Sequence, residues 1–187
     1  MANEQAAESA RPTLTMPVSE RDHRRGGEGA PLTLLEYGDY ECPQCRQAYP
    51  IVRAIERSFG DRLRFAFRHF PLTNVHPHAQ RAAEAAEWAA AQGVFWPMHD
   101  AIYEGGARLS DGRLIDIAVE MGTPGVSLPE AWAAHTFFAR VKEDFLSGLA
   151  SGVTGTPSFF INGVRHEGAW DLASLTRALE AAAQRSG

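Results

Sequence analysis

The chain has 187 residues, 44% hydrophobic and 22% charged, enough for one globular domain with a full core or a core carrying one large insertion. A formal net charge of −5 argues against a basic nucleic-acid surface. No apolar run approaches the ~18–20 residues that cross a bilayer, and residues 1–20 lack the apolar core of about 7–15 residues found in signal peptides. The sequence therefore reads as a cytoplasmic protein, with neither nucleic acid nor membrane as a partner.

Residues 1–15 are rich in Ala, Glu, Asn and Gln without periodicity, and a flexible tail is predicted for 1–17. Gly26-Gly27-Glu28-Gly29 leads into a first strand over 32–37. Pro43, which has no amide hydrogen to satisfy, suits the first turn of a helix over 43–59 with Cys42 as its N-cap. Cys45, Ala48, Val52, Ile55 and Phe59 recur on one face of that helix, and Pro50 is predicted to kink it. A second strand, 63–69, alternates apolar and polar residues. The stretch 73–152 reads as a block of about four helices, over 81–92, 95–103, 111–121 and 129–149, punctuated by Gly93, Gly105, Gly106, Gly122 and Gly125. Strands return at 158–161 and 164–167 around an Asn162-Gly163 turn, and Asp171 caps a last helix to about 184.

The only two cysteines form Cys42-Pro43-Gln44-Cys45 at a strand-to-helix junction, the pattern of a redox dithiol. At the N-cap, Cys42 meets unpaired amides and the positive end of the helix dipole, both of which favour thiolate. Cys45 lies one turn on, where Cβ atoms are about 5–6 Å apart, so Cys42 is expected to attack and Cys45 to resolve the mixed disulfide. Gln44 can donate a hydrogen bond to the thiolate, whereas Asp39 and Glu41, read as loop carboxylates, oppose it. A structural bridge would close a loop too short to constrain the unfolded chain much. A zinc site wants four ligands, and no second cysteine pair or suitably spaced histidine pair follows. His76-Pro77-His78 is too tight for that pattern and reads as the start of the next helix. Neither metal nor cofactor is expected, because the reactive group is the dithiol itself. His69 reads as a structural histidine, His99, Trp88, Trp132, Phe137 and Phe138 as core, and Arg165-His166-Glu167 as a solvated hairpin face.

Three blocks carry a family resemblance: 34–45 (LLEYGDYECPQC), 67–72 (FRHFPL) and 153–163 (VTGTPSFFING). From Val18 to the C-terminus the chain resembles the DsbA-like thiol–disulfide oxidoreductases. The resemblance implies an α/β thioredoxin-like fold, β-α-β … β-β-α, with an inserted helical subdomain: 18–72 and 153–187 would form the thioredoxin-like part and 73–152 the insertion. It further implies that Pro157 is cis and faces the cysteine pair, with Thr156 offering backbone hydrogen bonds to an extended substrate. Without it, Pro157 reads as a proline starting a strand. Glu36, where thioredoxin-like proteins often bury an acid, would take the proton of Cys45 during resolution; the plainer reading is an exposed strand-end carboxylate. The expected activity is disulfide exchange with protein or peptide thiols, glutathione or a thioredoxin-type reductant. A cytosolic setting would lean it toward reduction or isomerisation. A chaperone-like polypeptide-binding module with a redox-sensing dithiol is the alternative. A glutathione-dependent transferase is disfavoured by the paired cysteines, and monomer and homodimer both stay open.

Overall fold

The computed structural model describes residues 12–106, 108–122 and 127–185. Its strands are β1 (His23–Gly26), β2 (Leu32–Gly38), β3 (Leu63–His69), β4 (Ser158–Ile161) and β5 (Val164–Arg165), joined in one mixed sheet of order β1-β3-β2-β4-β5. Helix α1 (Pro43–Phe59) connects β2 to β3, which run parallel from Leu32↔Leu63 to Gly38↔His69. The remaining neighbours pair antiparallel. Between β3 and β4 lie α2 (Ala79–Ala90), α3 (Phe95–Glu104), α4 (Asp111–Glu120), α5 (Leu128–Ala133) and α6 (Phe138–Ala150), and α7 (Leu172–Arg185) follows β5. This is the thioredoxin-like α/β architecture with helices inserted between its two β segments.

Side-chain alternation along β2 divides the interior into two cores. Leu32 and Leu34 join α1, α7 and the inserted helices in the larger one. Leu35 and Tyr37 point the other way, into a smaller cluster with Ala66, Phe70, Val153 and Phe160, covered by Leu14, Val18, Leu72 and Phe145. By the same period of two, Glu36 faces the α1 side. The buried residues of α1 are Cys45, Ala48, Val52, Ile55 and Phe59, the face read from spacing; Pro50 lies inside the helix without ending it. On the opposite face α6 approaches closely because Gly148 has no side chain: a Cβ there would stand 2.7 Å from Phe70 Cδ2 and 3.1 Å from Tyr37 Cδ1.

Several expectations change. Residues 1–11 of the expected tail lie outside the described residues, but the rest of it is paired. Leu14 N–H donates to Gly163 O at 2.9 Å, Arg165 N–H donates to Pro12 O at 2.9 Å, and Thr13 bridges Val164. The segment behind it is anchored by Arg68, which is buried, donates to Asp22 at 2.6 and 3.1 Å, and also reaches Tyr37 Oη and the carbonyls of Met16 and Pro17. Strand β1 was not expected: His23-Arg24-Arg25-Gly26 has no apolar alternation. Backbone pairing with β3 and the Arg25 ion pairs to Glu56 and Asp100 hold it instead. The single helix expected over 129–149 is two, broken at His135, whose φ is +52°. Phe138, expected in the core, is 43% exposed. The returning strand is shorter than 164–167, and Gly125 lies outside the described residues.

Candidate active site at the cysteine pair

Cys42 is the N-cap of α1, with extended backbone (φ −70°, ψ 123°), and Pro43 follows in the first turn. Both cysteines are free thiols and both are buried, Cys42 at 3% exposure and Cys45 at 0%. The Cys45 thiol, hydrogen-bonded to the Cys42 sulfur, does most to pull the Cys42 pKa down from 9.0 to about 5. Burial opposes this, while Thr156 and the amides of Cys45 and Gln44 assist. Cys45 moves the other way, well above the ordinary thiol value, through burial, its bond to Cys42 and the charges of Glu36 and Cys42. Its sulfur accepts the Asp39 N–H at 3.4 Å. Gln44 stands beside Cys42, with Sγ–H donating to Oε1 at 3.0 Å; a half-turn of the amide presents Nε2–H to the thiolate.

Glu36 is a buried carboxyl, 3% exposed, rather than an exposed strand end. Its Oε1 has no hydrogen-bond partner among the described residues. Burial, then the Cys42 charge, pushes its pKa from 4.5 up to about 8, with Arg25 opposing and Glu56 adding. At neutral pH it is therefore a protonated acid on the same side of the sheet as α1. Tyr103 of α3 packs in the same core, its hydroxyl also buried and without a partner among the described residues, and its ring 5.0 Å from that of Tyr40.

Thr156 and Pro157 come to Cys42 from 114 residues away. The Thr156–Pro157 peptide is cis, and Cys42 Sγ lies 3.4 Å from Thr156 O. Thr156 Oγ1 is buried and, among the described residues, has no hydrogen-bond partner beyond its favourable approach to the Cys42 sulfur. Beside Pro157 opens a cleft of about 370 Å³ that includes Phe159, Arg165, His166 and Trp170.

The carboxylates flanking Cys42 are not the free loop charges expected. Asp39, 2% exposed, accepts from Glu41 N–H (2.8 Å), Leu72 N–H (2.9 Å) and His76 Nδ1 (2.7 Å). Glu41 pairs with His78, taking its N–H at 2.6 Å and lying 3.0 Å from its Nδ1. Their field at Cys42 is thus shared with amides and imidazoles. His78 is the N-cap of α2, whereas His76 precedes the helix and belongs to the active-site loop. Asp39, His76 and Tyr103 are the site residues sequence reasoning missed. His69 and His99 are buried, bonded to Glu87 (2.9 Å) and Tyr40 Oη (3.0 Å).

Residues 18–181 match the family model described as Thioredoxin. The Na⁺/H⁺ antiporter NhaA 1 of Salinispora arenicola (strain CNS-205) is 43% identical over 170 residues, which cover 90% of this chain and 26% of that one. The chain thus spans about a quarter of the length of the curated relatives it matches. Among solved structures, oxidised BdbD from Bacillus subtilis superposes with a TM-score of 0.79 at 22% identity, covering 93% of this chain and 99% of that one. Wolbachia pipientis alpha-DsbA1 gives 0.76 at 20%, covering 92% and 96%. A periplasmic thioredoxin-like protein from Salmonella enterica serovar Typhimurium gives 0.73 at 20%, covering 97% of each chain. The cytoplasmic placement expected from the sequence is overturned by these likenesses. The relatives carry the name of a Na⁺/H⁺ antiporter and one structural neighbour is named as periplasmic, and the lean toward reduction falls with the cytosolic setting. No helix among the described residues is long and apolar enough to cross a membrane. With its matched span, its sheet order and its inserted helices, the chain belongs to the thioredoxin family, in the DsbA-like form of that fold.

Proposed function

We propose that the protein is a thiol–disulfide oxidoreductase acting on cysteines of proteins or peptides, with Cys42 as nucleophile and Cys45 as resolving cysteine. The observation that carries this reading is the placement of two free thiols at the start of α1 against the cis Thr156–Pro157 peptide, where Cys42 is favoured as thiolate and buried Cys45 as thiol. At neutral pH such a pair holds one thiolate and one thiol, the state required for one sulfur to attack and the other to wait.

In the reducing direction the Cys42 thiolate attacks a substrate disulfide, forming a Cys42–substrate bond and expelling one substrate thiolate. Cys45 then loses its proton to Glu36, whose ionised form becomes accessible once the mixed disulfide has removed the Cys42 charge that helped raise its pKa, and attacks Cys42 Sγ. The second substrate thiolate leaves and the Cys42–Cys45 disulfide closes. The oxidising direction is the reverse, and two electrons pass between substrate and dithiol either way. Thr156, whose carbonyl already reaches Cys42, and Pro157 would line the substrate segment, and no metal or cofactor takes part. Direction follows from the potential of the pair against its surroundings.

The test is turnover of a disulfide-linked fluorogenic peptide. Cys42→Ser abolishes exchange, while Cys45→Ser accumulates a substrate adduct on Cys42 that dithiothreitol releases. Undiminished turnover by Cys42→Ser removes the proposal.

A further inference from the structure

His23, His69 and Glu87 have no part in the proposed exchange, yet they converge from β1, from the end of β3 and from α2. His23 Nε2 lies 2.7 Å and His69 Nε2 2.9 Å from the same oxygen, Glu87 Oε1, and one potential ligand atom from each residue falls within 4.8 Å of the others. We infer that these three side chains form a binding site for a divalent transition-metal ion of the zinc type, separate from the cysteine pair.

The donor set suits such an ion. Two imidazole nitrogens and one carboxylate oxygen bind zinc at ~2.0–2.2 Å, leaving a fourth position for water. Ligand atoms disposed tetrahedrally at that distance are about 3.4 Å apart, so the two imidazoles need to withdraw from Glu87 by well under ~1 Å. Glu87 accepts from His69 Nε2, so an ion would displace that proton to Nδ1, which is buried without a partner among the described residues. The His23 ring is held by stacking on Phe95 at 3.5 Å, and its partial exposure, 16%, gives an ion a way in and room for water. Glu87 supplies the negative charge. Arg140, whose Nε is 3.9 Å from Glu87 Oε1, opposes a cation, but its charge is shared with Asp144, to which its guanidinium is also bonded. Asp144 also accepts the His69 N–H at 3.1 Å, adding a carboxylate behind the site.

An ion here would tie both strands to the first inserted helix. It would also sit one residue pair from the active-site loop, because His69 lies in register with Gly38.

The experiment uses the full chain with the Cys42–Cys45 disulfide closed, so that thiolates cannot compete for metal. Titration with Co²⁺ is followed by visible absorption, and Zn²⁺ is then used to displace it. The expected result is one equivalent bound per chain, with no sulfur-to-cobalt charge-transfer band, and a higher thermal midpoint with zinc. His23→Ala and Glu87→Gln, with folding checked by circular dichroism, each weaken binding about tenfold or more and lose the zinc-induced midpoint shift. Absence of binding by the oxidised wild-type protein overturns the inference without any variant. So does binding unchanged in both variants, which would mark adventitious capture by surface histidines.

Discussion

Glu36→Gln separates the consequences of burying an acid from those of merely placing one. The unfolded carboxyl ionises from about 4.5 upward, whereas the folded one keeps its proton to about 8. A group raised in this way contributes its full stability below pH 4.5, loses it progressively as pH rises, and reaches a floor above about 8. The amide of the variant does not titrate and has no such dependence. Stability of the variant relative to wild type should therefore grow by about 1.4 kcal/mol per pH unit, reaching about 3 kcal/mol between pH 4.5 and 7. A fixed cost of an unpartnered amide would move the whole curve without changing its slope. Urea unfolding of both reduced proteins at pH 4.5, 5.5, 7 and 8.5 reads the difference. Because the Cys42 charge contributes to the raised value, closing the disulfide should narrow the pH window. A flat difference across this range would refute the claim that Glu36 is buried and protonated at pH 7. The same variant should slow resolution by about 10²-fold at pH 8, where the wild-type carboxyl is half ionised.

Alkylation of reduced protein by iodoacetamide should be half-maximal near pH 5, following the Cys42 thiolate. Since that pKa is depressed, the stability it gives the reduced fold is full above about 9 and is lost as pH falls through 5, a trend Cys42→Ser should lack. Asp39→Ala removes the acceptor of two backbone amides and His76. It should destabilise by about 3 kcal/mol and shift the alkylation midpoint, and an unmoved midpoint would limit Asp39 to a structural role. Arg68→Met leaves Asp22 buried without its cation, a loss of about 3–5 kcal/mol in urea unfolding. Gly148→Ala drives a methyl into Phe70 and should cost about 1–3 kcal/mol despite the better helix propensity of alanine; a more stable variant would contradict the close approach.

What could be read from the chain was what depends on near neighbours. Cys42 before Pro43 marks an N-cap, the spacing of Cys45 to Phe59 marks the buried face of α1, and Asn162-Gly163 takes positive φ at both turn positions. The remaining features depend on partners that sequence distance hides. Strand β1 carries no hydrophobic alternation because backbone pairing and Arg25 define it. Asp39 looks like a loop charge until Leu72 and His76, more than thirty residues on, close around it. Gly148 looks like a helix defect, and its reason is Phe70. The break at His135 sits in a run of helix-compatible residues, where local preference has little to say. The cis geometry at Pro157 was reached through the resemblance, since residue pattern alone favoured an ordinary strand start.

The unequal division of the interior has a dynamic consequence. The small cluster behind the sheet is closed by α6 and the strap running from Pro12 to Asp22, which Arg68 and a few hydrogen bonds hold in place. That side has the least apolar surface to expose, so it is where a sub-global opening costs least. Amides of the strap should exchange with solvent through such openings, while those of β2, β3 and α1 wait for global unfolding. The molecule can thus breathe at its back and leave the surroundings of Cys42 and Cys45 intact.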